Sequence, residues 1–180
     1  MEYTSIESTG HPLFDQAWRL YKGSFPPEER RQLRTQEKIM GHPLYHFEVI
    51  TGDDGFIGFI LWWGFEDVRY IEHLATSARL RGKGYGRRIV EKFIAGSTLP
   101  VLLEVERPVT EINKRRIDFY RRLGFVLNLH DYLQPPYKKG GDPVPLMLMT
   151  CPEAITAGEA ARFCRLYHPV IHKLRSQGKG

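Results

Sequence analysis

The chain has 180 residues, a length that suits one domain with its own core, and 26 Lys and Arg against 21 Asp and Glu leave a formal charge of +5, a mild excess that suits an anionic small molecule as well as nucleic acid. An apolar share of 42% with ordinary Gly and Pro content excludes a disordered or collagen-like chain, and two cysteines are too few for a disulfide scaffold. No run approaches the ~20 apolar residues of a membrane-spanning helix. The first residues, Met1-Glu2-Tyr3-Thr4-Ser5, lack the basic and apolar regions of an export signal, so Cys151 and Cys164 are expected as reduced thiols in a cytoplasm.

The elements follow from periodicity. Leu13, Phe14, Ala17, Trp18 and Tyr21 are spaced as one face of a helix, which Phe25-Pro26-Pro27 breaks. Pro27 opens a second expected helix, with Glu28 and Glu29 near its positive end and Gly41 closing it after Met40. Tyr45 to Ile50, Phe56 to Trp63 and Val68 to Thr76 read as three strands of an antiparallel meander, with Thr51-Gly52-Asp53-Asp54-Gly55 as the first turn. His73 is expected on the opposite sheet face from Glu72 by strand alternation, in a structural role. Arg87 to Ala95 carries a helical stripe, and Pro100 to Val105 is a short apolar strand of a sheet buried on both faces. Glu111 to Leu123 reads as a helix with Gly124 as its cap, and Phe125 to Leu129 and Val144 to Met149 are late strands around a loop from Tyr132 to Pro145. Thr156-Ala157-Gly158-Glu159 has the form of a capping box, so a last helix is expected from Thr156 to about Tyr167, with Pro169 disturbing the chain beyond it.

Chemistry concentrates in Arg81-Gly82-Lys83-Gly84-Tyr85-Gly86, between a strand and a helix. Glycines let several backbone N–H groups converge, and the next helix adds its unpaired N-terminal N–H groups and positive dipole end, a setting for a pyrophosphate. Arg81, Lys83, Arg87 and Arg88 add charge. A P-loop is excluded because Gly84, not Ser or Thr, comes after Lys83, and the dinucleotide fingerprint fails because its third glycine would fall on Arg87 or Ile89.

The spacing that fits is Arg-x-x-Gly-x-Gly, Arg81 through Gly86, which resembles the coenzyme A motif of the GNAT superfamily of N-acetyltransferases. The element order over residues 1–150 is similar to that family. So are Leu102-Leu103-Glu104-Val105, read as its fifth strand, and Asn113 seven positions before Tyr120 with Leu123-Gly124-Phe125 after it. Bacterial alpha-amino acetyltransferases of ribosomal-protein N-termini are the nearest subgroup in pattern, although the Glu104-to-Asn113 connection is longer here.

The resemblance implies an α+β, three-layer fold with a mixed central sheet, splayed fourth and fifth strands and flanking helices. It implies a GNAT domain at 1–150, then a C-terminal helical extension and tail at 151–180. The implied activity is direct acetyl transfer from acetyl-CoA to a primary amine in a ternary complex, with no metal. Backbone groups of Leu74, Ala75 and Thr76 would pair with the pantetheine arm, and the N–H groups of Gly82, Lys83, Gly84, Tyr85, Gly86 and Arg87 would hold the pyrophosphate. Asn113 would bind the arm by its amide. Tyr120 would be the general acid, because a phenol near pKa ~10 can protonate a departing thiolate. Glu104 and Glu72 are both candidates for the base, directly or through water.

The acceptor edge is expected among the first two helices and the late loop, where Trp18, Tyr21, Phe25, Glu28, Glu29, Tyr132, Tyr137, Lys138 and Lys139 stand. Trp18 and Tyr21 also fit a packing stripe. The acceptor is an amine-bearing small molecule or a peptide, and the chain a monomer or homodimer. The competing reading is a catalytically silent GNAT-like sensor of acyl-CoA. A nucleic-acid binder is disfavoured, because Arg87-Arg88, Arg115-Arg116 and Arg121-Arg122 read as helical surface charge without a base-stacking motif. No membrane association is expected.

Overall fold

The computed structural model describes residues 1–137 and 140–173. Lys138 and Lys139, expected in the acceptor loop, lie outside the described residues. The chain forms two compact units, Met1–Leu99 and Pro100–Gly180.

The first unit is an antiparallel meander with three helices. Its strands are β1 (Glu2–Ser5), β2 (Tyr45–Gly52), β3 (Gly55–Gly64) and β4 (Arg69–Thr76), paired in chain order. Strand β1 carries too few residues for a periodic signal, and its register against β2 runs from Glu2 with Thr51 to Ser5 with Glu48. Helix α1 (Phe14–Ser24) buries Phe14, Ala17, Trp18 and Tyr21, so Trp18 and Tyr21 serve packing. Trp63 is fully buried, whereas Trp62 is half-buried against Phe93.

The second expected helix is broken. Pro27–Glu29 forms a single 3₁₀ turn, Arg30 to Gln32 is extended, and α2 begins only at Leu33 and ends at Met40. The cause is Arg31. Its N–H donates to the Tyr21 hydroxyl at 2.8 Å, and its guanidinium is drawn to Glu72, so tertiary bonds replace those a continuous helix would make.

Strand alternation also fails at Glu72. Leu61 pairs with His73 and Trp62 with Ile71, leaving Glu72 as the extra residue of a bulge. Glu72 therefore reaches Arg31, while His73 reaches the carbonyl of Glu29 at 2.9 Å, so both address the same segment rather than opposite faces. His73 is buried between the rings of Tyr21 and Phe25, in keeping with a structural role.

Helix α3 (Tyr85–Ala95) buries Ile89, Val90 and Phe93. Its far end is held by Arg69, whose buried guanidinium donates to the carbonyls of Phe93 at 2.6 Å, Ile94 at 3.2 Å and Ser97 at 3.4 Å. A cation there satisfies orphan carbonyls and suits the negative end of the helix dipole.

The second unit contains β5 (Val101–Glu106), α4 (Glu111–Arg121), β6 (Val126–Gln134), β7 (Val144–Cys151) and α5 (Ala157–Lys173). Strand β7 pairs antiparallel with both β5 and β6. Two expectations change here. Tyr132 lies inside β6, not at the start of a loop, because the strand resumes after an irregularity between Asn128 and Tyr132. Helix α5 runs six residues past Tyr167 with Pro169 inside it. The ring costs one backbone bond, but Ile171 beyond it is buried and sustains the turn. The expected capping box forms: Glu159 N–H donates to Thr156 Oγ1 at 3.2 Å, and Thr156 N–H donates to the Glu159 carboxylate at 2.7 Å.

Candidate active site

In the first unit the glycine turn has the expected backbone. Gly82 and Gly84 have φ of +77° and +79°, and Gly84 is the residue before α3. A side-chain carbon at either position would meet nothing within 4 Å, so the turn is an open cradle. The first turn of α3 then presents N–H groups without intrahelical acceptors. The cradle is tied to the β2–β3 turn by Asp54. Tyr85 Oη donates to the Asp54 carboxylate at 2.6 Å, Lys83 Nζ stands 3.7 Å from it, and Arg79 donates to the Asp54 carbonyl at 2.8 Å. The Tyr85 hydrogen bond and then Lys83 hold the Asp54 carboxyl below the usual range, and the same bond pushes the Tyr85 phenol up. Sequence reasoning misses Asp54; its place in a turn cluster is the only signal it carries.

Leu74, Ala75 and Thr76 end β4, paired with Ile60, Phe59 and Gly58. Antiparallel pairing directs alternate backbone groups away from β3. Gly58 is required at that pairing, since a side-chain carbon there would collide with the Ala75 carbonyl.

Glu72 is not an open carboxylate. Arg31 Nη1 and Nη2 each donate to one of its oxygens at 2.6 Å, Trp63 Nε1 adds a bond at 3.0 Å, and both side chains of the ion pair have zero exposure. The guanidinium also lies over the rings of Tyr45 and Trp63, at 5.3 and 6.0 Å. Both carboxylate oxygens of Glu72 are thus committed to buried donors, and the sequence offers no sign that Arg31 is its partner.

In the second unit Glu104 is half-buried on β5. The Tyr132 hydroxyl donates to one of its oxygens and the Gln134 amide to the other. Tyr132 and Gln134 are two apart on β6 and so share a face. Burial first, then the Glu104 charge and hydrogen bond, pushes the Tyr132 phenol well up.

Tyr120 lies near the end of α4 with its ring edge-on to Phe125 and Phe119, at 5.4 and 5.1 Å. Burial pushes its phenol up to about 12, with Arg116 opposing and Glu106 adding to the shift. Gly124, at φ +89°, turns the chain so that Phe125 N–H bonds the Tyr120 carbonyl at 3.1 Å. Asn113 donates its side-chain amide to the Arg107 carbonyl at 3.0 Å, while its N–H is capped by Thr110 at 3.2 Å. The β5–α4 connection is thus shaped by Asn113.

Among the described residues, no three His, Cys, Asp or Glu side chains gather as a metal site, and no helix is long and apolar enough to cross a membrane. His46 stacks on Trp62 at 3.8 Å and His42 lies edge-on to Trp63 at 5.3 Å, so these histidines are engaged with tryptophans.

The class is acetyltransferase on two findings. A family model described as an acetyltransferase (GNAT) domain matches residues 43–127. A putative acetyltransferase of the GNAT family from Bacteroides thetaiotaomicron is 37% identical, with a TM-score of 0.88 over 96% of this chain and 98% of its own. The ribosomal-protein-S18-alanine N-acetyltransferase from Escherichia coli shares the fold at 19% identity, with a TM-score of 0.59 over 87% of this chain and 96% of its own. So does an aminoglycoside 6'-N-acetyltransferase solved with coenzyme A, at 18% identity and a TM-score of 0.55 over 83% and 96%. No curated protein matches the chain. The chain belongs to the GNAT family and has its α/β fold.

Proposed function

We propose that the protein transfers an acetyl group from acetyl-CoA to a primary amine, directly and in a ternary complex. The observation that carries this reading is the open turn of Gly82 and Gly84, both at positive φ, leading into the exposed N-terminus of α3. Its free N–H groups and the cations of Arg81, Lys83 and Arg87 suit a pyrophosphate, so the residues present fit coenzyme A. The co-substrate supplies a thioester already activated for attack by an amine.

The chain's own residues divide the remaining work. The N–H groups of Gly82 and of Gly84 to Arg87 bind the pyrophosphate, while Lys83, whose N–H is taken by the Leu80 carbonyl at 3.3 Å, contributes its ammonium; the backbone of Leu74, Ala75 and Thr76 pairs with the arm. A backbone N–H of β4 polarises the thioester carbonyl, as an oxyanion-type donor does. The Asn113 amide serves the arm as well, exchanging its bond to Arg107 for one to the ligand. Glu104 takes the proton from the attacking amine. Tyr120, whose raised phenol stays protonated, gives a proton to the departing thiolate. Glu72 is assigned to structure, on the strength of its buried pair with Arg31.

The acceptor class is an amine. Proteins of similar fold include a ribosomal-protein-S18-alanine N-acetyltransferase, aminoglycoside 6'-N-acetyltransferases and a spermidine N-acetyltransferase from Vibrio cholerae, which makes amines of these kinds the first candidates. The test incubates the protein with acetyl-CoA and a panel of Ala-initial peptides, polyamines and aminoglycosides. Thiol release with a matching acetyl mass gain on one amine supports the reading. Tight acetyl-CoA binding without transfer to any member would replace it with the sensor.

A further inference from the structure

Nothing in the sequence ties helix α5 to the chemistry, yet it reaches the Glu104 site. His168 Nε2 lies 2.8 Å from the Tyr132 hydroxyl, and that hydroxyl donates to Glu104. Tyr132 has one proton to give. While that hydrogen is directed at Glu104, the His168 nitrogen must be the donor to the phenol oxygen, which fixes its tautomer. The chain of bonds is therefore His168 Nε2–H to Tyr132 Oη–H to Glu104.

The placement of α5 is built rather than incidental. Asn128 of β6 accepts the Ile155 N–H at 2.9 Å and donates to Thr150 Oγ1 at 3.0 Å, while His130 bonds the Ile155 carbonyl at 2.7 Å. These bonds fix the segment entering the helix, and the Thr156–Glu159 capping box starts it. Phe163, buried on α5, packs edge-on to the His168 ring at 5.5 Å and sets its orientation.

We propose that His168 is a positioning residue for Glu104: acting through Tyr132, it holds a hydrogen-bond donor on the base, so the protonation behaviour of Glu104 depends on helix α5. This rests on the reading of Glu104 as the base. A donor to the charged form of a carboxylate favours that form. Losing His168 removes the donor that polarises the Tyr132 hydroxyl, so the bond from Tyr132 to Glu104 weakens and the base then protonates at higher pH. Among the described residues, titratable groups facing this chain of bonds include Cys164 on α5, whose thiol is pushed up by burial and then by Glu104, His172 with its ring 5.1 Å from His168, and Tyr137 against His172. Gln134 holds the second Glu104 oxygen independently of the chain.

The experiment has two arms. In the free protein, ring nitrogen spectra of His168 are followed against pH in wild type, Glu104→Gln and Tyr132→Phe. The expected result is a lower His168 midpoint in both variants, since each removes the negative charge or the link to it. In the second arm, kcat/KM against pH is measured with acetyl-CoA and the panel amine that turns over fastest. In His168→Ala and Tyr132→Phe the acid limb is expected to move up, with a loss of roughly 3- to 10-fold at the acid end and acetyl-CoA affinity unchanged. His168→Gln, which keeps an N–H donor, should stay close to wild type, as a packing role alone would not predict. Superimposed profiles, or His168 signals indifferent to Glu104→Gln, would overturn the proposal. If no amine turns over, the acetyl-transfer reading fails, and the spectra alone decide whether α5 and Glu104 are linked.

Discussion

Arg31 and Glu72 meet through two parallel hydrogen bonds of 2.6 Å with neither side chain exposed, and this pair shapes both the break before α2 and the bulge in β4. Removing one partner leaves a buried charge uncompensated, so Glu72→Gln and Arg31→Met are each expected to cost about 3–5 kcal/mol in urea denaturation. Arg31→Met combined with Glu72→Leu should recover most of that loss. A stable, fully folded Glu72→Gln protein that had lost only turnover would instead make Glu72 a catalytic base.

Gly84 tests the cradle. Gly84→Glu places bulk and negative charge where a pyrophosphate is expected, so acetyl-CoA affinity should fall by ~100-fold or more. Its positive φ adds strain of about 1–2 kcal/mol for most side chains. Gly84→Asn, which tolerates that conformation, separates strain from blockage: calorimetry should find it far closer to wild type than Gly84→Glu.

Tyr120→Phe should lower kcat by ~10² or more while leaving acetyl-CoA binding within twofold. The pH dependence comes from the phenol, which is pushed up to about 12 mainly by burial. An acid is active while protonated, so turnover should not decline through the ordinary phenol range near pH ~10 on its account. A wild-type alkaline limb at that pH that vanishes in Tyr120→Phe would contradict the shift.

Gly58 lies where β3 meets the backbone of Ala75 and Thr76. Gly58→Ala is therefore expected to cost about 1–3 kcal/mol in stability. It should also speed amide exchange at Leu74 to Thr76 and weaken acetyl-CoA binding. An unchanged denaturation midpoint would show that β4 yields there without cost.

Local signals account for the elements legible in the sequence. Apolar spacing marks α1, α3 and the β2–β3 hairpin, and the Gly82–Gly84 turn announces itself through residue types that only that backbone requires. The hidden features are pairings between residues distant in the chain. Arg31 and Glu72 are far apart in sequence, and the bulge that joins them inverts the expected face of His73. Tyr132 reads as a loop residue because the irregular stretch after Asn128 interrupts the strand pattern. His168 beside Pro169 carries no signal, because its meaning comes only from the strand against which α5 folds.

The most direct test of the central claim is calorimetric titration of the protein with acetyl-CoA, with CoA and ATP as controls and Gly84→Glu in parallel. The account predicts binding in the micromolar range that favours acetyl-CoA and is abolished in the variant. Absence of binding to either form of CoA, or equal binding by Gly84→Glu, would contradict it.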